Sequence, residues 1–432
     1  LRKKVSFTVS DIISFKQSLL HWSQQYYEVV WLDSNAHRRS YSSFDGMLAV
    51  DALTSIVTDT QNAFEDLSNY QTNVKDWIFG YLSYDVKNDT ELLSSSNADG
   101  LDFPALYFFQ PKKLIEIQNT VVTFHYLNMV ANEIEGDYKN ILEATTAFEP
   151  ELENQSNIKI KLRIFKDEYY RRVNKMLNHI HRGDIYEANF CQEFYAENTK
   201  IDALKTYLKL NSITRAPFST FLKINDKYLL SSSPERYIKK LGNQIISQPI
   251  KGTAKRSLDE DEDRLLAEAL EKDQKERAEN IMIVDLVRND LSKSALKGTV
   301  EVKELCKVYS FDQVHQMIST ITAEVSSTKN PVDIIRETFP MGSMTGAPKV
   351  SAMRIIEELE ASKRGLYSGT VGYFTPENDF DFNVVIRSIL YNKTSQFVSI
   401  SVGSAITAQA IPEKEYEECL LKAKAMRQVL EN

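Results

Sequence analysis

Lys251 stands in the segment Gln248 to Arg256, QPIKGTAKR, where Pro249 stiffens the approach and Gly252 permits a tight backbone beside it. From a reference pKa of about 10.4, only about one lysine in a few thousand is neutral at pH 7, so a nucleophilic role requires desolvation or a neighbouring cation. Read alone, a loop lysine is more often a solvated surface charge. Two carboxylate pairs stand out next: Glu276 with Glu279 in KERAENIMIVDLVRND, and Glu415 with Glu418 in PEKEYEECLLKAKAM. Spacing of three puts both members of a pair on one helix face. Two such pairs, if they converge, suit a hard cation such as Mg2+, although each pair alone reads as a solvated face. Glu235 follows a proline in SSSPERY, at an expected strand-to-helix junction where the helix dipole would favour it. The segment Thr338 to Met353, TFPMGSMTGAPKVSAM, leads into a helix whose free N–H groups suit an anion, or simply caps that helix.

These residues need a scaffold. Residues 1–150 alternate aromatic and β-branched runs with polar breaks, as in Trp77 to Tyr84 and Ala105 to Phe109, which favours strands. The acidic stretch Glu149 to Ser156 is the best candidate linker. Beyond it, Tyr169, Tyr170, Val173, Met176, Leu177 and Ile180 recur at helical spacing up to Gly183. Lys227 to Ser231, Val371 to Phe374 and Phe397 to Val402 read as strands; Ser351 to Leu359 and Tyr416 to Leu430 read as helices. Without regular βαβ alternation, and with no internal repeat, the expectation is an α+β assembly.

Composition narrows the partners. Sixty Asp plus Glu against 52 Lys plus Arg give a formal charge of −8, which argues against a phosphate-tracking nucleic-acid binder. Cys191, Cys306 and Cys419 are odd in number and far apart, so no disulfide framework or metal knuckle is visible and a reducing compartment is favoured. No apolar run approaches the roughly 18 residues of a membrane span, and the start resembles no secretory signal. We expect a soluble, cytoplasmic protein with no membrane contact.

Taken together, the segments IHRGDIYEANFCQEF, SSSPERY, QPIKGTAKR, ERAENIMIVDLVRND, FPMGSMTGAPKVSAMRIIEELE, YSGTVGYF, DFNVVIRS and PEKEYEE resemble, in order, the chorismate-utilising enzymes. The similarity covers roughly Phe165 to the C-terminus. The resemblance implies a large antiparallel β-sheet sandwich with outer helices, a catalytic part over residues 160–432, and residues 1–150 sharing its sheets. Leu32 to Asp45 looks like a segment that contributes to a tryptophan pocket in related enzymes. Lysine after Pro-Ile resembles the aminodeoxychorismate synthase branch, where anthranilate synthases typically carry alanine. It therefore implies that Lys251 attacks C2 of chorismate while Glu235 protonates the departing C4 hydroxyl, after which ammonia adds at C4 and expels the lysine. By the same resemblance Glu279 and Glu418 are direct Mg2+ ligands, with Glu276 and Glu415 acting through water. Tyr373 and Arg387 would hold the enolpyruvyl carboxylate, with Thr345, Gly346, Ala405 and Lys422 as further contacts.

Two departures from the family pattern are visible. VHQMIS has Gln316 where a histidine is usual, with His315 one position earlier and so facing elsewhere on a strand. Ala405 stands within GSAIT where glycine is usual. No cysteine has a glutaminase setting, so the resemblance implies a separate glutamine amidotransferase subunit supplying ammonia. The alternatives are an anthranilate synthase component, an isochorismate or salicylate synthase, and a chorismate-binding pseudoenzyme.

Overall fold

The computed structural model describes residues 1–37, 41–144, 158–311 and 314–431. The linker expected at 149–156 lies outside the described residues. Two antiparallel ladders share the strand Leu106–Gln118. The first runs outward from it through Gly46–Thr58, Glu28–Asp33, Phe218–Ile224, Lys227–Ser233, Ser388–Asn392 and Phe397–Thr407 to Glu187–Ala196. The second runs through Ile78–Leu82, Thr370–Phe374, Phe380–Asn383, Arg236–Leu241 and Gln244–Gln248 to Val314–Glu324. Val314–Glu324 also pairs with Ile250–Lys255 and with Glu301–Ser310. Strands from the N-terminal third thus hydrogen-bond directly to strands from the remainder.

Alternation along the strands feeds two cores. Val29 and Trp31 enter one and Val30 and Leu32 the other; Leu48 and Val50 oppose Met47 and Ala49; Leu230 opposes Leu229. Each fully buried aliphatic or aromatic side chain contributes about 1.5–3 kcal/mol. The helices Lys166–Arg182 and Pro412–Glu431 cover the first core. The first of these buries Tyr169, Val173, Met176, Leu177 and Ile180, the face that the spacing predicts. The helices Gln274–Ser292 and Pro331–Thr338 cover the second. Among the described residues no helix is long and apolar enough to cross a membrane, and the three cysteines are free and buried.

Two local expectations change. No helix follows Glu235: Pro234 and Glu235 are a two-residue break between the strands Lys227–Ser233 and Arg236–Leu241. Proline removes a ladder donor, while the Tyr237 and Ile238 that follow favour extended backbone. Nor is Lys251 in a loop, since it lies in the strand Ile250–Lys255.

Candidate active site

Lys251 owes its direction to a bulge. Ile250 pairs with Ile318 and Thr253 with Gln316, so Lys251 and Gly252 together face one residue, Met317. Gly252 has φ +92°, a left-handed conformation that glycine adopts without strain. The bulge re-aims the lysine side chain, which is 15% exposed, toward Glu187 on the last strand of the first ladder; Nζ lies 3.5 Å from Glu187 Oε1.

Glu235 and Arg387 sit where the chain passes between the ladders. Glu235 lies in the break after the strand Lys227–Ser233, just before Arg236–Leu241 of the second ladder, and Arg387 precedes Ser388–Asn392 on the return. The crossings are tied together: Val384 N donates to the Glu235 carbonyl at 3.0 Å and Ser232 N to the Arg387 carbonyl at 3.1 Å. Arg387 has φ +50°, a conformation that costs an L-residue roughly 1–2 kcal/mol. Glu235 is 5% exposed. Burial pushes its carboxyl up to about 7, against the opposing influence of the Ser343 hydroxyl and of Lys251, Arg387 and Lys422. A carboxyl that is half protonated near neutrality is suited to general acid catalysis.

The two glutamate pairs lie within each other's electrostatic reach. Glu276 lies in the first turn of Gln274–Ser292, where Asp273 caps the helix by accepting Glu276 N at 2.9 Å. Glu415 and Glu418 lie near the start of Pro412–Glu431, and Glu415 accepts a short hydrogen bond from Ser404. Burial raises Glu276, and the charges of Glu279 and Glu418 raise it further; burial also raises Glu415, to which Glu418 and Glu279 add. Glu418 moves the other way, because Lys422, Lys251 and Lys275 outweigh its burial. No three His, Cys, Asp or Glu side chains among the described residues already stand in a liganding arrangement. Lys275 lies 3.6 Å from Glu279 and Lys422 lies 2.6 Å from Glu418. The donor set of four carboxylates has the hard-oxygen chemistry of a divalent-cation site, with Lys275 and Lys422 paired to two of its members. Burial depresses Lys251, but Glu187, Glu279, Glu418 and Glu235 outweigh it and hold the ammonium above its ordinary value. A neutral, nucleophilic lysine at this position would require that negative field to be countered.

The other predicted contacts divide. Lys422 also donates to the Gly403 carbonyl at 2.9 Å. Ala405 pairs with Asn189, and Gly346 with Ala188, so both border the strand that carries Glu187. A Cβ on Gly346 would lie 2.1 Å from the Glu187 carbonyl, so glycine is needed for this close approach. The Thr345 hydroxyl is turned to the Met341 and Gly342 carbonyls. Gln316 stands across the ladder from Thr253 beside the bulge. His315 faces away, 3.0 Å from Asp263 and 2.9 Å from the Ser310 hydroxyl.

Tyr373 makes its contacts with other aromatic rings and a second charged group. Its ring packs with Trp77, Phe79 and Phe44 at 5.5, 5.5 and 6.0 Å, beside Asp381 and Arg236. Glu187, by contrast, has no signal in spacing or motif that singles it out. It is 2% exposed, burial raises its carboxyl, and its Oε2 has no hydrogen-bond partner among the described residues.

Comparison with known proteins identifies the family. The chain belongs to the chorismate binding enzyme family, which matches residues 26–428. It is similar to a probable aminodeoxychorismate synthase of Oryza sativa, 35% identical over 90% of this chain and 46% of that protein. It is also similar to anthranilate synthase component 1 of Thermus thermophilus, 31% identical over 82% and 77% of the two chains. Aminodeoxychorismate synthase component 1 of Salmonella typhimurium is 40% identical over 61% and 58%. The chain thus spans about half the length of the rice and Salmonella relatives. In fold it matches anthranilate synthase component I from Streptococcus pneumoniae, with TM-score 0.77 and 24% identity over 91% and 94% of the two chains. It matches the menaquinone-specific isochorismate synthase of Escherichia coli equally, with TM-score 0.77 and 17% identity over 100% and 94%.

Proposed function

We propose that the chain converts chorismate and ammonia to 4-amino-4-deoxychorismate, the step toward 4-aminobenzoate in folate synthesis. The observation that carries this reading is a lysine turned inward by a glycine bulge, in the electrostatic field of a buried glutamic acid whose pKa is about 7. Lys251, once neutral, attacks C2 of the ring. Glu235 gives its proton to the C4 hydroxyl, which leaves as water. Ammonia then bonds to C4 and Lys251 departs with its electron pair, so one hard substitution becomes two allylic ones. Arg387 offers a planar fork to the enolpyruvyl carboxylate, a geometry that lysine would not reproduce.

Glu279 and Glu418, with Glu276 and Glu415 through water, would hold Mg2+. Held there, the ion would supply positive charge for the ring carboxylate and against the acidic field around Lys251. Ammonia would come from a separate glutamine amidotransferase subunit, in keeping with the component naming of the Salmonella relative. The three free cysteines favour a cytoplasmic setting.

The test is product identity. Pure chain incubated with chorismate, Mg2+ and an ammonium salt is expected to yield 4-amino-4-deoxychorismate by mass spectrometry and chromatography. Anthranilate as the main product would overturn the assignment and favour the reading suggested by the Thermus relative.

A further inference from the structure

The strand Glu187–Ala196 carries two buried glutamates on one face, six residues apart. Glu193 is fully engaged: Oε2 accepts from Arg163 at 2.9 Å and Ser362 at 2.8 Å, and Oε1 from Ser399 at 2.7 Å. Glu187 is as deeply buried and has Lys251 alone, at 3.5 Å on Oε1, while Oε2 has no partner among the described residues. A buried carboxylate oxygen without a donor is costly, and native interiors seldom leave one so unless something arrives to fill it. A small group with N–H donors would satisfy that oxygen, beside the lysine that would meet the ring.

We propose that Glu187 is the seat for the ammonium co-substrate, holding it on Oε2 and accepting its proton while Oε1 positions Lys251. This rests on the reaction proposed above and completes its proton balance. In the first displacement the Lys251 nitrogen bonds to C2, the C4–O bond breaks, and the Glu235 proton leaves in water. In the second, ammonium passes one proton to Glu187, its nitrogen bonds to C4, and the C2–nitrogen bond breaks with the pair returning to Lys251. The product carries an ammonium group, and the proton on Glu187 replaces the one that Glu235 gave up. Overall, ammonium plus the alcohol gives the substituted ammonium plus water, with no further reactant.

The experiment compares wild type, Glu187→Gln and Glu187→Asp with ammonium chloride or hydroxylamine as the nitrogen source. Hydroxylamine is neutral near pH 7.5 and needs no carboxylate to receive a proton. The lysine adduct formed with chorismate and no nitrogen source is measured in parallel. Glu187→Gln is expected to form the adduct, keep KM for chorismate, raise KM for ammonium about tenfold or more, and shift preference toward hydroxylamine. Glu187→Asp, which keeps a carboxylate, is expected to retain the preference for ammonium. An unchanged KM for ammonium and unchanged preference in Glu187→Gln, with the adduct still forming, would overturn the seat while leaving the proposed reaction standing. Absence of both adduct and amino product in wild type would remove the reaction, and the seat with it.

Discussion

Two buried charged regions of this protein differ in how completely their charges are satisfied. Around Tyr373, Arg236 is forked onto Asp381 at 2.9 and 3.1 Å, donates to Gln248 at 2.6 Å and to the Tyr41 carbonyl at 3.1 Å, and Lys239 adds a further contact to Asp381 at 3.5 Å. Around Lys251, a lysine faces four carboxylates, one glutamate is pushed up to about 7, and another keeps an oxygen without a partner. The first arrangement holds two strands of the second ladder together. The second leaves its charge less completely compensated, which is more typical of a site than of a brace.

Breaking either region should have opposite consequences. Lys251→Ala is expected to lower kcat by about 10³-fold or more with little change in unfolding free energy, because it removes a nucleophile. Steady-state rates with chorismate and ammonium, alongside denaturant unfolding, check this. Glu235→Gln is expected to lower kcat by about 10²–10⁴-fold. In wild type the acid must be protonated to act, so the rate that depends on Glu235 should fall as pH rises through about 7 and hold below it. A pH–rate profile that is flat across that window would remove the general acid role.

In the other region the signs reverse. Asp381→Ala leaves Arg236 buried without its fork and is expected to cost about 3–5 kcal/mol of stability, while kcat of the folded fraction stays near wild type. Tyr373→Phe removes one hydroxyl beside Ser43 and is expected to cost about 0.5–1.5 kcal/mol, without changing KM for chorismate. A raised KM in that variant would return Tyr373 to the substrate.

Periodicity and local chemistry were readable where they depend on near neighbours. The buried face of Lys166–Arg182 follows from its spacing, and the strand Thr370–Phe374 from its composition. The pairing of Glu276 with Glu279 and of Glu415 with Glu418 was visible for the same reason. Their mutual electrostatic influence was not, because it depends on how Gln274–Ser292 and Pro412–Glu431 pack against different strands. The bulge at Lys251 needs a partner strand to exist at all, so a glycine in sequence suggests only a tight backbone. Glu187 lay beyond reach altogether: a glutamate in a strand becomes unusual only when its neighbours fail to satisfy it. Tyr373 shows the converse, since its motif is intact while its side chain packs among Trp77, Phe79 and Phe44.

Covalent catalysis by Lys251 is tested most directly by intact-protein and peptide mass spectrometry after mixing with chorismate and Mg2+ in the absence of ammonia. The expected result is a gain equal to chorismate less one water, localised to Lys251, absent in Lys251→Ala, and discharged to amino product when ammonium is added. No adduct from pH 6 to 9, together with product formation by Lys251→Ala at the wild-type rate, would contradict it.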